Sequence, residues 1–439
     1  MMVKSRKDTK FPPKFQISPA PPAPMSGFLL NFAKYGLYRH DTIRHDIMIK
    51  SLALKNWKSF EDARLWVDPL TFIIGTNAAG KSNIVDALSF LSCIASGTRL
   101  SDVPVRGGID GLIRRTASDA SLAVEVVTDK GDFFYEICFQ TEDKELLIHS
   151  EKLSLTQSDG KCDPLFSASL TGPEASRLSV FFSSGLLFAA RRDVSVLAQI
   201  ANLNVSDELK ILVDEVAASL KSIFIFDPKP DKMRDYSPLA DKLASDGSNI
   251  AGVIAGLPDD RQKEFEEQLT DYVRPLPDKD LIKIWAEPVG RFKSDAMLYC
   301  AEEWVDGEKT EFDARAMSDG SLRFIAIVTA LMSARKGDTI VIEEVDNGLH
   351  PSRAGELVMA LKALGRKKGI DIISTTHNPV LIDALGPEML QFISYVSRSE
   401  ATGCSEIRLL EDAPDLLRLL ANYTPGDMMT RGLLSNDAK

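Results

Sequence analysis

Apolar residues along this chain change their period several times, and the changes mark out the elements. Residues 48–55 alternate loosely, as an edge strand does, and residues 65–67 supply a partner for them. The unbroken run Leu70–Ile74 reads as a buried strand. Directly after it the period lengthens: Ile84, Leu88, Leu91 and Ala95 predict a helix with one buried stripe. Residues 122–127, 133–140 and 152–156 read as strands separated by Gly, Asp and charged turns, a β-rich layer. Helical spacing takes over at 196–203, 207–220 and Asp259–Val273, around a turn-rich stretch at 227–234. Short strands return from Ile282. From Ser321 the cadence is helix, strand, helix, strand, that of a parallel sheet.

These shifts divide the chain into four blocks. Residues 1–45 form an extension whose prolines, in the run 18–25, preclude helix and inner strand. Residues 46–190 are the first half of an α/β core, 191–280 an inserted helical lobe, and 281–439 the second half of the core. No heptad repeat is long enough for a coiled-coil arm.

Composition adds limits. With 439 residues and 44% hydrophobic content the chain can build one large core or two moderate ones. The net charge of -11 gives no overall attraction for nucleic acid, so DNA binding would need a local basic face. Arg114-Arg115 and Arg191-Arg192 are the short basic pairs to test for one, and either pair could equally be solvated surface. Five widely spaced cysteines offer neither metal knuckle nor redox dithiol, which points to a reducing, cytoplasmic setting. No apolar run reaches membrane-spanning length, so no membrane role is expected. The basic N-terminus lacks the apolar core of a signal peptide.

The chemistry concentrates where strands end. Residues 75–82, Gly-Thr-Asn-Ala-Ala-Gly-Lys-Ser, have the GxxxxGK[ST] spacing of a phosphate-binding loop between a strand and a helix. In such a loop backbone N–H groups curl around a phosphate chain, Lys81 reaches the β and γ phosphates, and Ser82 holds Mg²⁺. Gly75, Asn77, Gly80, Lys81 and Ser82 are the candidate nucleotide-binding set. Thr339–Ile342 is a buried-strand run ending in Glu343-Glu344, placed for a metal contact and for polarising an attacking water. Alone, the pair could be solvated loop carboxylates; the upstream phosphate loop favours the functional reading. The strand at 369–374 leads to His377, again at a sheet edge, within reach of a γ phosphate. His350 reads as a helix cap or a dimer contact. Ser318 or Asp319 can cap the apolar helix at 324–332, leaving its amides free for an anion.

These elements, in this order, resemble the ABC-type ATPases of the SMC, RecF and OLD group over roughly residues 47–435. Residues 75–82 match the Walker A loop. Residues 318–323, Ser-Asp-Gly-Ser-Leu-Arg, match the signature loop, reading SDG where many relatives read SGG. Glu343 takes the Walker B aspartate position, Glu344 that of the catalytic glutamate, residues 346–350 the D-loop, and His377 the switch histidine. The run EEVDNGLHP is closest to the OLD-like AAA family ATPases of bacterial defence systems, whose usual form is DEPExGLHP. Residues 246–249 and the closing Gly432-Leu-Leu also look like that branch.

The resemblance implies an α/β fold: a P-loop NTPase with an ABC-type ATPase head, a β-rich lobe and an inserted helical lobe. It implies ATP and Mg²⁺ as cofactors, with Ser82 and Glu343 at the metal. Catalysis falls to Glu344, His377 and Lys81. Two protomers would meet head to tail, Ser318 and Gly320 of one closing over the nucleotide of the other, with assembly into higher oligomers also open. Glu343 is one methylene longer than the usual aspartate, so the metal shell must be re-spaced and slower turnover is expected. Gln140 and Gln199 are both candidates for the Q-loop.

About 235 residues without heptads separate the phosphate loop from the signature, unlike a full SMC protein. About 60 residues follow His377 and lack a Toprim acidic constellation, so no nuclease is expected in this chain. The expected role is a sensor or regulatory ATPase in anti-phage defence, partnered by a separately encoded effector such as a nuclease or toxin. The alternatives are a RecF-like DNA-binding repair ATPase and an ATP-binding protein that barely turns over.

Overall fold

Among the described residues, eighteen strands, β1 to β18, are assembled into three sheets, and the two larger ones share a core with the helix that follows the phosphate loop. The structure is a computed structural model that describes residues 49–156, 162–171, 176–185, 187–274, 281–303, 307–413 and 415–434. The proline-containing extension expected at 1–45 lies outside the described residues. In chain order the first nine strands are β1 Ile49–Lys55, β2 Asp62–Trp66, β3 Leu70–Ile74, β4 Asp119–Thr128, β5 Gly131–Glu142, β6 Glu145–Thr156, β7 Cys162–Ser169, β8 Leu178–Phe182 and β9 Leu187–Ala190. The rest are β10 Ile223–Phe226, β11 Ser237–Pro238, β12 Leu281–Val289, β13 Asp295–Glu303, β14 Lys309–Asp313, β15 Thr339–Ile342, β16 Asp371–Thr376, β17 Ile393–Arg398 and β18 Ser405–Leu409.

The chemically important sheet has the order β10-β15-β16-β3-β17-β18. Its first five strands run parallel and β18 closes the edge antiparallel. Parallel strands need cover on both faces, and their apolar runs show it: every residue of β15 and β16 is buried. The second sheet, β2-β1-β4-β5-β6-β7-β8-β9, is antiparallel throughout and forms the expected β-rich layer. Its strands alternate buried and partly exposed positions, as β5 does from Phe133 to Phe139. A third, smaller antiparallel sheet joins β11, β12 and β14 to β13.

Helix Lys81–Ala95 belongs to a core that includes residues of both large sheets: Ile73, Val341, Ile373 and Val396 from one, Leu122, Tyr135, Phe139 and Ile148 from the other. Phe90 makes edge contacts to Trp57 and Phe139, with ring centroids 5.4 and 5.1 Å away. The expectation of one buried stripe is therefore corrected. Val85, Asp86, Ala87 and Phe90 are buried as well as Ile84, Leu88, Leu91 and Ala95, because the helix has a sheet on each side.

The segment 191–280 also departs from the helical lobe expected for it. Helices Asp207–Lys221, Ile250–Ala255 and Asp259–Val273 are present. Between the first two lies β10, which pairs in parallel with β15 and so belongs to the phosphate-loop sheet. The run Ile-Phe-Ile-Phe begins two residues after helix Asp207–Lys221 ends, so apolar period alone does not separate it from that helix. Residues 196–203 form one α-helical turn, Val196–Gln199, followed by a 3₁₀ turn. Gly369, expected to open a strand, instead ends helix Ala354–Lys368 with φ of 64°, and β16 begins two residues later.

Candidate nucleotide site

The phosphate loop leaves β3, with β16 and β17 on either side of it in the sheet. Gly75 has φ of 151°, and a Cβ there would lie 2.2 Å from the Val396 carbonyl oxygen of β17. Only glycine fits so close to a neighbouring backbone. Gly80 is the N-cap of helix Lys81–Ala95 and gives no side-chain acceptor to its first amides, which stay available to an anion. The loop is braced from outside: Ser405 of β18 donates to the Ala79 carbonyl at 2.6 Å, and Trp57 donates to that of Asn83 at 2.8 Å.

Beside this loop is a cleft of about 330 Å³ lined by Asn77, Ala78, Gly80, Lys81, Ser82, Asn83, Glu344 and Thr375. It unites residues about 260 positions apart in sequence because β3 and β15 flank β16 in one sheet. Lys81 Nζ donates to the carbonyls of Gly75 and Thr76 at 2.7 and 2.9 Å, curled onto its own loop. Burial pulls its pKa below the usual lysine value, opposed by the charges of Glu344, Asp346 and Glu343.

Ser82 Oγ donates to Glu343 Oε1 at 2.6 Å, so the two expected metal residues touch. Glu343 holds three further bonds that the sequence did not reveal. Arg106 grips both carboxylate oxygens, Nη1 to Oε1 at 2.7 Å and Nη2 to Oε2 at 2.8 Å, and the Glu343 carbonyl accepts from Arg323 at 2.9 Å. Burial works against the charge on Glu343, but the bonds from Arg106 and Ser82 prevail and hold its pKa below the usual glutamate value. Arg106 Nε also donates to Asp86 Oδ1 at 2.9 Å, while Asp86 Oδ2 pairs with Lys58 at 2.5 Å.

Glu344 sits in the left-handed region, φ 47°, where a side chain costs energy. Three backbone contacts hold it there. Its N–H donates to Thr375 Oγ1 at 2.9 Å, the next N–H donates to the Thr375 carbonyl at 3.1 Å, and its own carbonyl accepts from Arg323 at 2.9 Å. His377 Nδ1 is 3.9 Å from Glu344 Oε1, both side chains being partly open to solvent. Asp346, in the stretch matched to the D-loop, is buried and accepts from Thr376 Oγ1 at 2.6 Å. His350 caps the following 3₁₀ turn, accepting from the Ser352 N–H.

Ser318 and Gly320 are outside the lining of this cleft, at the start of helix Asp319–Ser333. Ser318 Oγ accepts from the Ser321 N–H, which makes it the N-cap. A Cβ on Gly320 would lie 2.7 Å from the Gly348 carbonyl, so this helix start abuts the D-loop stretch of the same chain. Arg234 pins the approach: it donates to the carbonyls of Ala314, Arg315 and Met317 at 3.0, 3.0 and 2.7 Å, and to Asp319. Neither Q-loop candidate lines the cleft. Gln199 is spent on the carbonyls of Arg191 and Val194, and Gln140 on Glu142.

The family model described as "AAA domain, putative AbiEii toxin, Type IV TA system" matches residues 70–383, from the phosphate-loop strand through the segment after His377. The chain belongs to this family. The ABC-type relationship to SMC, RecF and OLD ATPases expected from the motifs agrees with that membership. Among curated relatives, RecF, the DNA replication and repair protein, of Leptospira biflexa serovar Patoc is 28% identical over 110 residues, 24% of this chain and 28% of the relative. RecF of Nocardioides sp. is 37% identical over 71 residues, 16% of this chain and 17% of the relative. The matches thus span under a third of those relatives. A solved Smc head bound to the C-winged helix domain of ScpA aligns with 82% of this chain and 97% of its own, at 16% identity and a TM-score of 0.45.

The basic pairs considered for DNA are largely committed within the chain. Arg114 pairs with Glu61, Arg191 with Asp193, and the buried Arg192 with Glu142; Arg115 is exposed. Among the described residues no helix is long and apolar enough to cross a membrane.

Proposed function

We propose that this chain is a Mg²⁺-dependent ATPase whose nucleotide cycle opens and closes a head-to-tail dimer. The observation that carries the reading is the convergence of Lys81, Ser82 and Glu344 on one cleft, with Glu343 bonded to Ser82. The donor set suits a hard cation: Ser82 Oγ and the Glu343 carboxylate are oxygen ligands. Among the described residues no group of three or more His, Cys, Asp or Glu side chains could hold a metal unaided, so phosphate oxygens would complete the shell. Bound there, Mg²⁺ would neutralise charge on the β and γ phosphates. Lys81 shares that work once it leaves the carbonyls of its own loop. Glu344 orients water in line with the γ phosphorus and accepts its proton, and His377 reports the γ phosphate to the loop around Asn378.

Ser318 and Gly320 act in trans on the nucleotide of a second copy. Their position outside their own cleft, beside Gly348, supports that role. The chain then serves as the sensor or regulatory subunit of an anti-phage complex in the bacterial cytoplasm, with a separately encoded nuclease or toxin as effector. The family's toxin-system description supports this reading. The local RecF matches favour a second one, a DNA-binding repair ATPase. Lys81→Ala tests the common core: ATP affinity in an equilibrium titration is expected to fall at least about a hundredfold, or about 2.7 kcal/mol. Unchanged affinity would sink the reading. ATP turnover that rises when duplex DNA is added would favour repair over defence.

A further inference from the structure

Arg106 belongs to none of the motifs that identify the site, yet it makes the most extensive polar contact there. Its guanidinium spans two carboxylates on different elements: Glu343 through both Nη atoms, and Asp86 of helix Lys81–Ala95 through Nε. With Lys58 on the other oxygen of Asp86, two carboxylates face two cations and their charges balance. Both oxygens of Glu343 are engaged, and Oε1 also accepts from Ser82. The groups that would bind a metal are therefore turned toward each other and toward an arginine.

We propose that Arg106 is a resident counter-ion for the metal position, which keeps a free divalent cation out until nucleotide phosphates enter. The inference rests on the reading of Ser82 and Glu343 as the metal pair. A divalent cation approaching Glu343 alone must break a bidentate charge-assisted pair and meets the positive charge of Arg106. Phosphate oxygens remove that barrier by bringing negative charge and further ligands with the cation. Arg106 is built to leave. Its side chain is 51% exposed. The next two residues, Gly107 and Gly108, have φ of 83° and 75°, and open space surrounds the place where a Cβ would stand on either. The longer glutamate at 343 has a role in this scheme: its extra methylene carries the carboxylate out to the guanidinium.

The test is Mn²⁺ binding to the full chain without nucleotide, followed by loss of the free-ion paramagnetic resonance signal, and repeated with ATP against a protein-free ATP control, since ATP itself binds Mn²⁺. Wild type is expected to bind Mn²⁺ weakly alone and at least about tenfold more tightly with ATP. In Arg106→Ala the nucleotide-free affinity should rise about tenfold and the ATP-induced gain should shrink by the same factor, because with ATP bound Arg106 has already left the metal position. Arg106→Gln, neutral but similar in size, decides the matter if the alanine variant does not fold. Adding Glu343→Gln to either variant should abolish the gain. A variant that keeps ATP affinity but binds nucleotide-free Mn²⁺ no better than wild type would overturn the counter-ion role. Failure of wild type to bind ATP at all would instead overturn the nucleotide-site reading.

Discussion

At the scale of single residues, the site depends on side chains whose importance no motif announces. Asp246 shows how. It accepts from the Ser248 N–H at 3.1 Å and from Lys232 at 2.9 Å, while its own carbonyl accepts from the Lys229 N–H. Those bonds hold the 227–249 segment, which also offers the Pro228 carbonyl to Arg323 at 2.8 Å. Burial opposes the Asp246 charge, but the bonds from Ser248 and Lys232 win and bring its pKa down to about 2. A carboxyl whose folded pKa lies below its unfolded value stabilises the fold above the unfolded value. That stabilisation is lost as pH falls from about 4 toward 2. Asp246→Asn should therefore lower stability at pH 7 by about 1 kcal/mol once solvent screening is allowed for, seen in chemical denaturation, and the gap from wild type should close as pH approaches 2. A gap independent of pH would assign the effect to shape rather than charge. Motif spacing exposes Lys81, Ser82, Glu343 and Glu344 in the sequence because it reflects local backbone geometry. Arg106, Arg234 and the Glu344-bracing Thr375 are invisible to it, because their roles come from contacts between distant segments.

Among the elements, those whose period matches one environment are legible in the sequence and those between two environments are not. Strand Thr339–Ile342 and helix Asp259–Val273 have the bounds their patterns predict. A single stripe is too narrow a reading for helix Lys81–Ala95, which has a sheet on each side, and β10 follows helix Asp207–Lys221 too closely for period alone to separate the two. Helix Asp319–Ser333 begins five residues before its apolar run, at the Ser318 cap. The start of that helix offers a sharp test. Gly320→Ala would put a methyl group 2.7 Å from the Gly348 carbonyl oxygen; the Cβ is fixed by its own backbone and the carbonyl belongs to backbone, so neither can rotate away. The expected cost is about 1–3 kcal/mol by thermal or chemical unfolding. The added strain should also displace the signature segment, so ATP-dependent self-association should weaken more than ATP binding. Equal losses in both would mean that the contact supports the fold alone.

For the whole molecule, the proposed cycle requires that a change at the γ phosphate reach a separate surface. Arg323 supplies a physical link. It lies on the signature helix, buried, and donates to the carbonyls of both Glu343 and Glu344 as well as to Pro228. In the proposed cycle, a shift of the Glu343-Glu344 segment would be passed through these bonds to helix Asp319–Ser333, which carries Gly320 and is capped by Ser318. Burial and three backbone carbonyl partners hold the Arg323 guanidinium in place, so it serves as a tie rather than as a mobile counter-ion. Blocking hydrolysis should then trap the consequence of nucleotide binding. Glu344→Gln keeps the size of the side chain and removes its basicity, so the variant should bind ATP as wild type does but fail to turn it over. If the signature segment of one copy closes on the nucleotide of another, light scattering should give twice the monomer mass with ATP and Mg²⁺, and the single mass without them. Adding Arg323→Ala to that variant should weaken dimer formation while leaving ATP bound, because the tie between cleft and signature helix is cut. A Glu344→Gln chain that holds ATP and stays monomeric would rule out the closed dimer and leave a switch acting within one chain.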